Sequence, residues 1–226
     1  MLPKVIVHTE VSVDGRMDWL RDDGFVYYRL IGDWGVDAVL SGSGTMLAAY
    51  PNPDTEAELA APKPEKPADL QRMVVVDSRA QLRCWRQMQQ SEWWGEVTAL
   101  VSEATPKSYV NELAALGVDV IAAGDEHVDL RAALEELSAR YGTKVVRVDS
   151  GGRLIGALLR AGLVDELSVI LSPTLVGGMS GRSFYVAPDL PSADGATSLR
   201  LTAVEAVDTN FVWLRYAIDR VLSENL

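Results

Sequence analysis

The chain has 226 residues, 48% of them hydrophobic and 23% charged, with a formal net charge of −11. That balance fits a globular protein of one large or two small domains, and the negative charge opposes sequence-independent binding of DNA or RNA. One cysteine, Cys84, excludes an internal disulfide. No stretch is long and apolar enough to span a bilayer and the first residues carry no signal-like run, so no membrane partner is expected and the cytoplasm is the expected compartment.

In chain order, "KVIVHTEVSVDG" (4–15) reads as a buried strand that stops at Asp14-Gly15. Residues 23–35 are a short, weak helix candidate. "VDAVLSGSGT" (36–45) begins as a buried strand and ends in a Gly/Ser loop. Residues 48–69 hold Pro51, Pro53, Pro62, Pro64 and Pro67 and are expected to form a loop or extended segment, because proline lacks an N–H and disrupts helix interiors. "RMVVVDS" (72–78), "EVTALVSEATP" (96–106) and "GVDVIAAG" (117–124) are further strands.

"VDLRAALEELSARYG" (128–142) is the clearest helix, with Leu130, Leu134, Leu137 and Tyr141 on one face and Gly142 to end it. "KVVRVDS" (144–150) is a strand. "RLIGALLRAG" (153–162) places Leu154, Ile155, Leu158 and Leu159 together on a helix. "DELSVILSPTLVGG" (165–178) is a strand and its exit, and 199–218 form two strands around a turn at Asp208-Thr209-Asn210. Apolar strands alternating with helices predict an α/β fold with a mostly parallel sheet, flanking helices and an antiparallel strand pair at the end. A single domain over 1–226 is expected, with the proline-rich stretch as a long loop within it.

Two strand ends open into small residues, "SGSGT" (41–45) and "DSGGR" (149–153). Tight turns would account for both. So would a bound anion: without Cβ atoms the backbone N–H groups can approach a ligand, and a helix start favours negative charge. Neither loop completes a dinucleotide fingerprint or a P-loop. With His8, His127 and one cysteine, a Cys/His zinc site is not expected. Asp14 reads as a turn aspartate. Asp149, at the end of a buried strand, reads as a working carboxylate, because an unpaired buried charge is costly. Trp85, Trp93 and Trp94 read as packing groups.

The stretch "DSGGRLIGALLRAGLVDELSVILSPTLVGG" resembles the reductase domain of the riboflavin-biosynthesis deaminase/reductase and its stand-alone relatives. "TEVSVDGRM" (9–17), "VDAVLSGSGTMLAAYP" (36–51) and "VVVDS" (74–78) are similar to further family segments in the same order. The resemblance covers about 4–215. It implies a dihydrofolate-reductase-like fold, NADPH as hydride donor, a homodimer, and reduction of a ribosylamino-pyrimidinone 5′-phosphate to its ribitylamino form. Carried onto this chain, it implies that Gly42, Ser43, Gly44 and Thr45 line the cofactor. Ser150, Gly151, Gly152, Arg153 and Leu154 would hold its phosphates, with Gly152 standing where a side chain would meet the pyrophosphate or the strand-to-helix turn. Ser78 and Arg79 would meet the adenosine 2′-phosphate, and Ser102 and Glu103 would face the site.

Asp14 and Asp149 are the candidates for substrate orientation or proton relay, with water an equal source of the proton. Thr9, Ser12, Tyr50 and Asp54 are the substrate-side candidates, and Arg16, Lys107 and Arg182 the candidate cations for a substrate phosphate. The substrate side departs from the family pattern. Ala49-Tyr50 replaces two acids, Asp149 replaces a glutamate, and the proline-rich stretch stands where a substrate-holding element is expected. A reductase of another heterocycle, such as a pterin, and a non-catalytic NADPH-binding protein are the alternatives.

Overall fold

A computed structural model describes residues 1–20, 25–31, 34–179 and 182–218. The chain divides into two compact units, one of Met1–Pro3 with Gly35–Val146, the other of Lys4–Trp34 with Arg147–Leu226.

In the first unit, β2 (Ala38–Gly42), β3 (Arg72–Val76), β4 (Val97–Val101) and β5 (Asp119–Ala122) pair side by side, all parallel. β4 is buried along its whole length and β2 and β3 over most of theirs, as crossover helices require of a parallel sheet, whereas β5 buries only Ile121. One core cluster holds Val39, Met73, Val75, Leu82, Trp85, Met88 and Leu113. The helices are α2 (Ser43–Ala49), α3 (Glu56–Ala60), α4 (Trp85–Gln90), α5 (Lys107–Ala115) and α6 (Leu130–Tyr141). α6 follows its sequence closely. The Asp129 side chain accepts from Ala132 N–H at its start, and Gly142 ends it at φ 68°.

In the second unit, β1 (Lys4–Ser12) pairs parallel with β7 (Glu166–Ser172), β7 antiparallel with β9 (Phe211–Ala217), and β9 antiparallel with β8 (Arg200–Val207). Two helices belong here, α1 (Phe25–Arg29) and α7 (Gly152–Arg160). β6 (Val145–Val148) runs through the division. The expected mostly parallel α/β arrangement and the antiparallel final pair are both present.

Four expectations change. No Gly/Ser loop follows β2: the strand passes directly into α2, with Gly42 as N-cap. The proline-rich stretch contains α3, closed by a capping box between Thr55 and Glu58. α4 and α5 were not expected at all. Of the helix candidate at 23–35, residues 25–29 are helical, and 23–24 and 32–33 lie outside the described residues.

α7 packs unusually close to the chain that follows β7. A Cβ on Gly152 would collide with the Ser183 carbonyl, and one on Gly156 with the Val186 carbonyl. Val186 N–H donates to the Gly152 carbonyl at 3.0 Å, and Arg160 donates to the Pro188 carbonyl at 3.0 Å. The two glycines therefore let a backbone strap lie on the helix. Gly156→Ala tests this. Helix propensity alone favours alanine by about 1 kcal/mol, whereas displacing the strap costs about 1–3 kcal/mol. The urea midpoint is expected to fall, and a rise would show that the strap yields freely.

Candidate active site

The second unit contains a connected polar cluster at its centre. His8, 1% exposed on β1, has Nε2 3.1 Å from the Tyr27 carbonyl and Nδ1 2.9 Å from Ser168 Oγ. A carbonyl only accepts, so Nε2 carries the proton and Nδ1 accepts from Ser168. Ser168 Oγ in turn accepts from Trp213 Nε1 at 2.7 Å. Burial, then the Arg147 charge, hold the His8 pKa down at about 4 against the partly offsetting Tyr27 carbonyl. The imidazole is thus neutral and fully engaged.

Tyr27 also reaches Asp149. Its hydroxyl donates to the His8 carbonyl at 3.3 Å and also lowers the Asp149 pKa. Burial raises the Asp149 pKa above the ordinary carboxylate range, while Arg147 and the Tyr27 hydroxyl pull it back. Asp149 directly precedes Ser150, which is buried, and Gly151, the N-cap of α7, where no side chain caps the helix. Arg153 is exposed at this end and Leu154 half-buried.

Asp14 has a different role from the one expected. Its carboxylate accepts from Ser12 Oγ at 2.7 Å, Val176 N–H at 3.0 Å and Gly177 N–H at 2.6 Å. These donors, Ser12 first, hold its pKa at about 2, so it carries no proton near neutrality. Asp14 anchors the β7 exit and does not suit a proton relay. Ser12, a substrate candidate, is taken up in the same turn, since its Oγ also accepts from Arg16 N–H at 2.9 Å. Thr9 is buried within β1 with Oγ1 unpartnered. Gly152 faces the strap, so its small size answers the Ser183 carbonyl and not an open phosphate site. Arg16 donates to the Gly178 carbonyl and Arg182 pairs with Asp18 at 3.3 Å. Both phosphate candidates are thus committed to protein partners.

In the first unit, the β2 exit keeps the features expected of a ligand loop. Ser41 Oγ is buried without a partner, Gly42 makes no side-chain cap, and a Cβ on Gly44 would meet nothing within 4 Å. Thr45 is half-buried in the first turn of α2, after Ser43. Ser78 and Arg79 follow β3, with Arg79 exposed and the Ser78 carbonyl accepting from Thr105 Oγ1 at 2.9 Å.

Ser102 departs from expectation. It is 2% exposed and its Oγ donates to the Glu126 carbonyl at 3.1 Å, so it braces a loop. Asp54 accepts from Arg86 and Gln87 N–H at 2.8 and 3.0 Å and caps α4. Tyr50 packs against the core cluster. Both substrate candidates therefore have structural duties. Lys107 is the exposed first residue of α5, and Glu103 is exposed after β4.

Two groups were missed. Asp77, 1% exposed, accepts from Tyr109 OH at 2.6 Å and from Leu82 N–H at 2.9 Å, fixing the loop that carries Ser78 and Arg79. Trp85 Nε1 donates to the same Tyr109 oxygen at 2.9 Å. Arg147 is the other. Its signal was a lone cation inside "KVVRVDS".

His8 gives a pH signature. The unfolded state takes up a proton near pH 6.5 and the folded state only near 4, so the stability from the neutral imidazole is complete above 6.5 and is lost as pH falls toward 4. The loss is expected to reach about 3 kcal/mol. Denaturation midpoints measured through this window should fall less steeply in His8→Gln, and an unchanged slope would remove His8 as the cause.

The family model of the RibD C-terminal domain matches residues 3–213 and so runs through both units. A protein of Archaeoglobus fulgidus named 2,5-diamino-6-ribosylamino-4(3H)-pyrimidinone 5′-phosphate reductase is 30% identical over 222 residues, covering 92% of this chain and 94% of its own. A protein of the same name from Methanothermobacter thermautotrophicus is 32% identical over 165 residues, covering 73% of this chain and 72% of its own. The solved structure of Acinetobacter baumannii RibD, form 1, matches with TM-score 0.69 at 26% identity, covering 96% of this chain and 58% of that one. A pyrimidine reductase-like protein of Corynebacterium diphtheriae shares the fold at 17% identity, with TM-score 0.69 over 96% of this chain and 92% of its own. By this extent of match, the chain belongs to the RibD C-terminal domain family and is a reductase.

Proposed function

We propose that the protein reduces a ribosylamino-pyrimidinone 5′-phosphate to its ribitylamino form with NADPH. The observation that carries this reading is Asp149, a half-buried carboxyl two residues before Gly151, the N-cap of α7, in a chain with relatives named for that substrate. The residues of the β2 exit fit a cofactor: Ser41 offers an unpaired buried hydroxyl, and a Cβ on Gly44 would meet nothing within 4 Å, so a ligand can approach the backbone there. Gly42, Ser43, Gly44 and Thr45 are the proposed cofactor contacts of the first unit, with Ser78 and Arg79 for an adenosine 2′-phosphate. Ser150, Gly151, Arg153 and Leu154 are those of the second.

Bound NADPH supplies a hydride from its nicotinamide ring to the ribosyl carbon that bears the amino nitrogen. Asp149 would meet a polar group of the aminopyrimidinone and orient it. Water brings the proton to the departing ribosyl oxygen, because Asp14 is ionised and both His8 ring nitrogens are engaged. The single buried thiol of Cys84 suits a reducing compartment such as the cytoplasm.

NADPH oxidation with the ribosylamino-pyrimidinone phosphate tests the assignment. Turnover is expected, and Asp149→Asn should lower kcat/KM by roughly 10- to 100-fold in a folded protein. Turnover only with a pterin would replace the substrate, and tight NADPH binding without any turnover would replace the enzyme by a binder.

We also propose a homodimer. β8 is paired only with β9 among the described strands and exposes Leu201 and Val204, 52% and 58% accessible. An apolar edge of this kind invites pairing. Light scattering is expected to give about twice 24.6 kDa at micromolar concentration, whereas an active species of single-chain mass would exclude the dimer.

A further inference from the structure

The loop that leaves β3, residues 77–83, is held from several sides. Asp77 N–H donates to the Leu100 carbonyl of β4 at 2.9 Å. The Asp77 carboxylate accepts from Gln81 N–H and from Leu82 N–H, both at 2.9 Å. The Ser78 carbonyl accepts from Thr105 Oγ1 at 2.9 Å, and Arg83 Nη1 donates to the Ala80 and Leu82 carbonyls at 3.0 and 2.7 Å. Ala80 sits at φ 53°, a left-handed conformation that a residue with a Cβ keeps only where its surroundings impose it.

Behind the loop stands a chain of three buried side chains, Trp85 of α4, Tyr109 of α5 and Asp77. An indole N–H only donates and a carboxylate only accepts, so the order is fixed. Trp85 Nε1 donates to the Tyr109 oxygen at 2.9 Å, and the Tyr109 hydroxyl donates to Asp77 Oδ2 at 2.6 Å. Burial first, then the bond to Asp77, push the Tyr109 pKa above its ordinary range, so the phenol keeps the proton it donates. The Arg83 guanidinium lies 5.0 Å from the centre of the same ring. Packing alone does not require the hydroxyl, since a phenylalanine ring would fill the same core.

Two donors of the loop are left over. Among the described residues, no hydrogen bond or ion pair engages Ser78 Oγ or the Arg79 guanidinium, and Arg79 is exposed. A loop fixed this firmly, with a hydroxyl and a cation uncommitted, suits a phosphate: charge-assisted bonds form without a further ordering cost. The geometry points to Tyr109 as a positioning residue of the coenzyme site: by donating to Asp77 it holds the 77–83 loop in the shape that offers Ser78 and Arg79 to an adenosine 2′-phosphate, and so sets the preference for a phosphorylated coenzyme. This rests on the reading that Ser78 and Arg79 meet that phosphate. Tyr109 touches no ligand itself and acts through Asp77.

The test compares wild type, Tyr109→Phe and Arg79→Gln, each checked for folding by circular dichroism. Calorimetry reads the affinity of ligand-free protein for two coenzyme fragments, adenosine 2′,5′-bisphosphate and 5′-AMP, which differ only in the 2′-phosphate. Kinetics reads the ratio of kcat/KM with NADPH to that with NADH. In Tyr109→Phe the affinity for the bisphosphate is expected to fall by about tenfold while that for 5′-AMP stays within about twofold. The kinetic ratio should fall in the same proportion. Asp77→Asn should show the same selective loss and serves if the phenylalanine variant does not fold. Equal weakening of both fragments, or a lower melting temperature with the preference intact, makes Tyr109 a packing residue and overturns the inference. Equal affinity of wild type for the two fragments, or an unchanged preference in Arg79→Gln, overturns instead the assignment of Ser78 and Arg79 to the 2′-phosphate.

Discussion

β1 is buried at eight of its nine positions, yet it carries His8, Thr9, Glu10 and Ser12. Water is excluded from both faces, so most of these polar groups must find partners inside the protein. Much of the second unit follows from that constraint. His8 ties β1 to α1 through the Tyr27 carbonyl and to β7 through Ser168, which Trp213 of β9 secures from the far side. Ser12 ties the end of β1 to Asp14, and Asp14 ties it to the β7 exit. The strap from Ser183 to Val186 then closes over α7, on a surface kept low by Gly152 and Gly156.

The same polar core sets the chemistry of Asp149. A carboxyl among apolar strands would be a neutral acid. One phenol and one cation oppose that tendency, and both arise from sequence features that look ordinary in isolation. The location of Asp149 agrees with the general habit of parallel sheets, which offer ligands the carboxyl ends of their strands.

The strands were legible because β-branched runs buried on both faces look alike in any parallel sheet, and α6 was legible from its leucine spacing and its Gly142 stop. Helix α2 was hidden because "SGSGT" reads as a loop by composition, although the strand passes straight into the helix. α5 was hidden by Pro106 in front of it, with only Tyr109 and Leu113 buried on its inner face. The duties of Asp14 and Asp54 were not legible, since their partners lie 162 and 32 residues away in the chain. Gly152 was read correctly as a position that excludes a side chain, but the group that excludes it is a strap whose approach no local pattern announces. The two glycine loops and Asp149 were legible as candidates from the residues themselves, and the resemblance added the cofactor that the loops would hold. Arg147 stood in plain view as a cation within an apolar strand, and only its neighbours give it meaning.

The proposed reaction is a direct hydride transfer from the nicotinamide to the ribosyl carbon of an aminopyrimidinone substrate. Reaction with NADPH carrying deuterium on one or the other face of the nicotinamide C4, followed by mass and NMR analysis of the product, tests it most directly. One labelled form should deliver one deuterium to the first carbon of the new ribityl chain, and deuterated water should deliver none to that carbon. Product free of label from both forms, or labelled at that carbon from the solvent, would contradict the account.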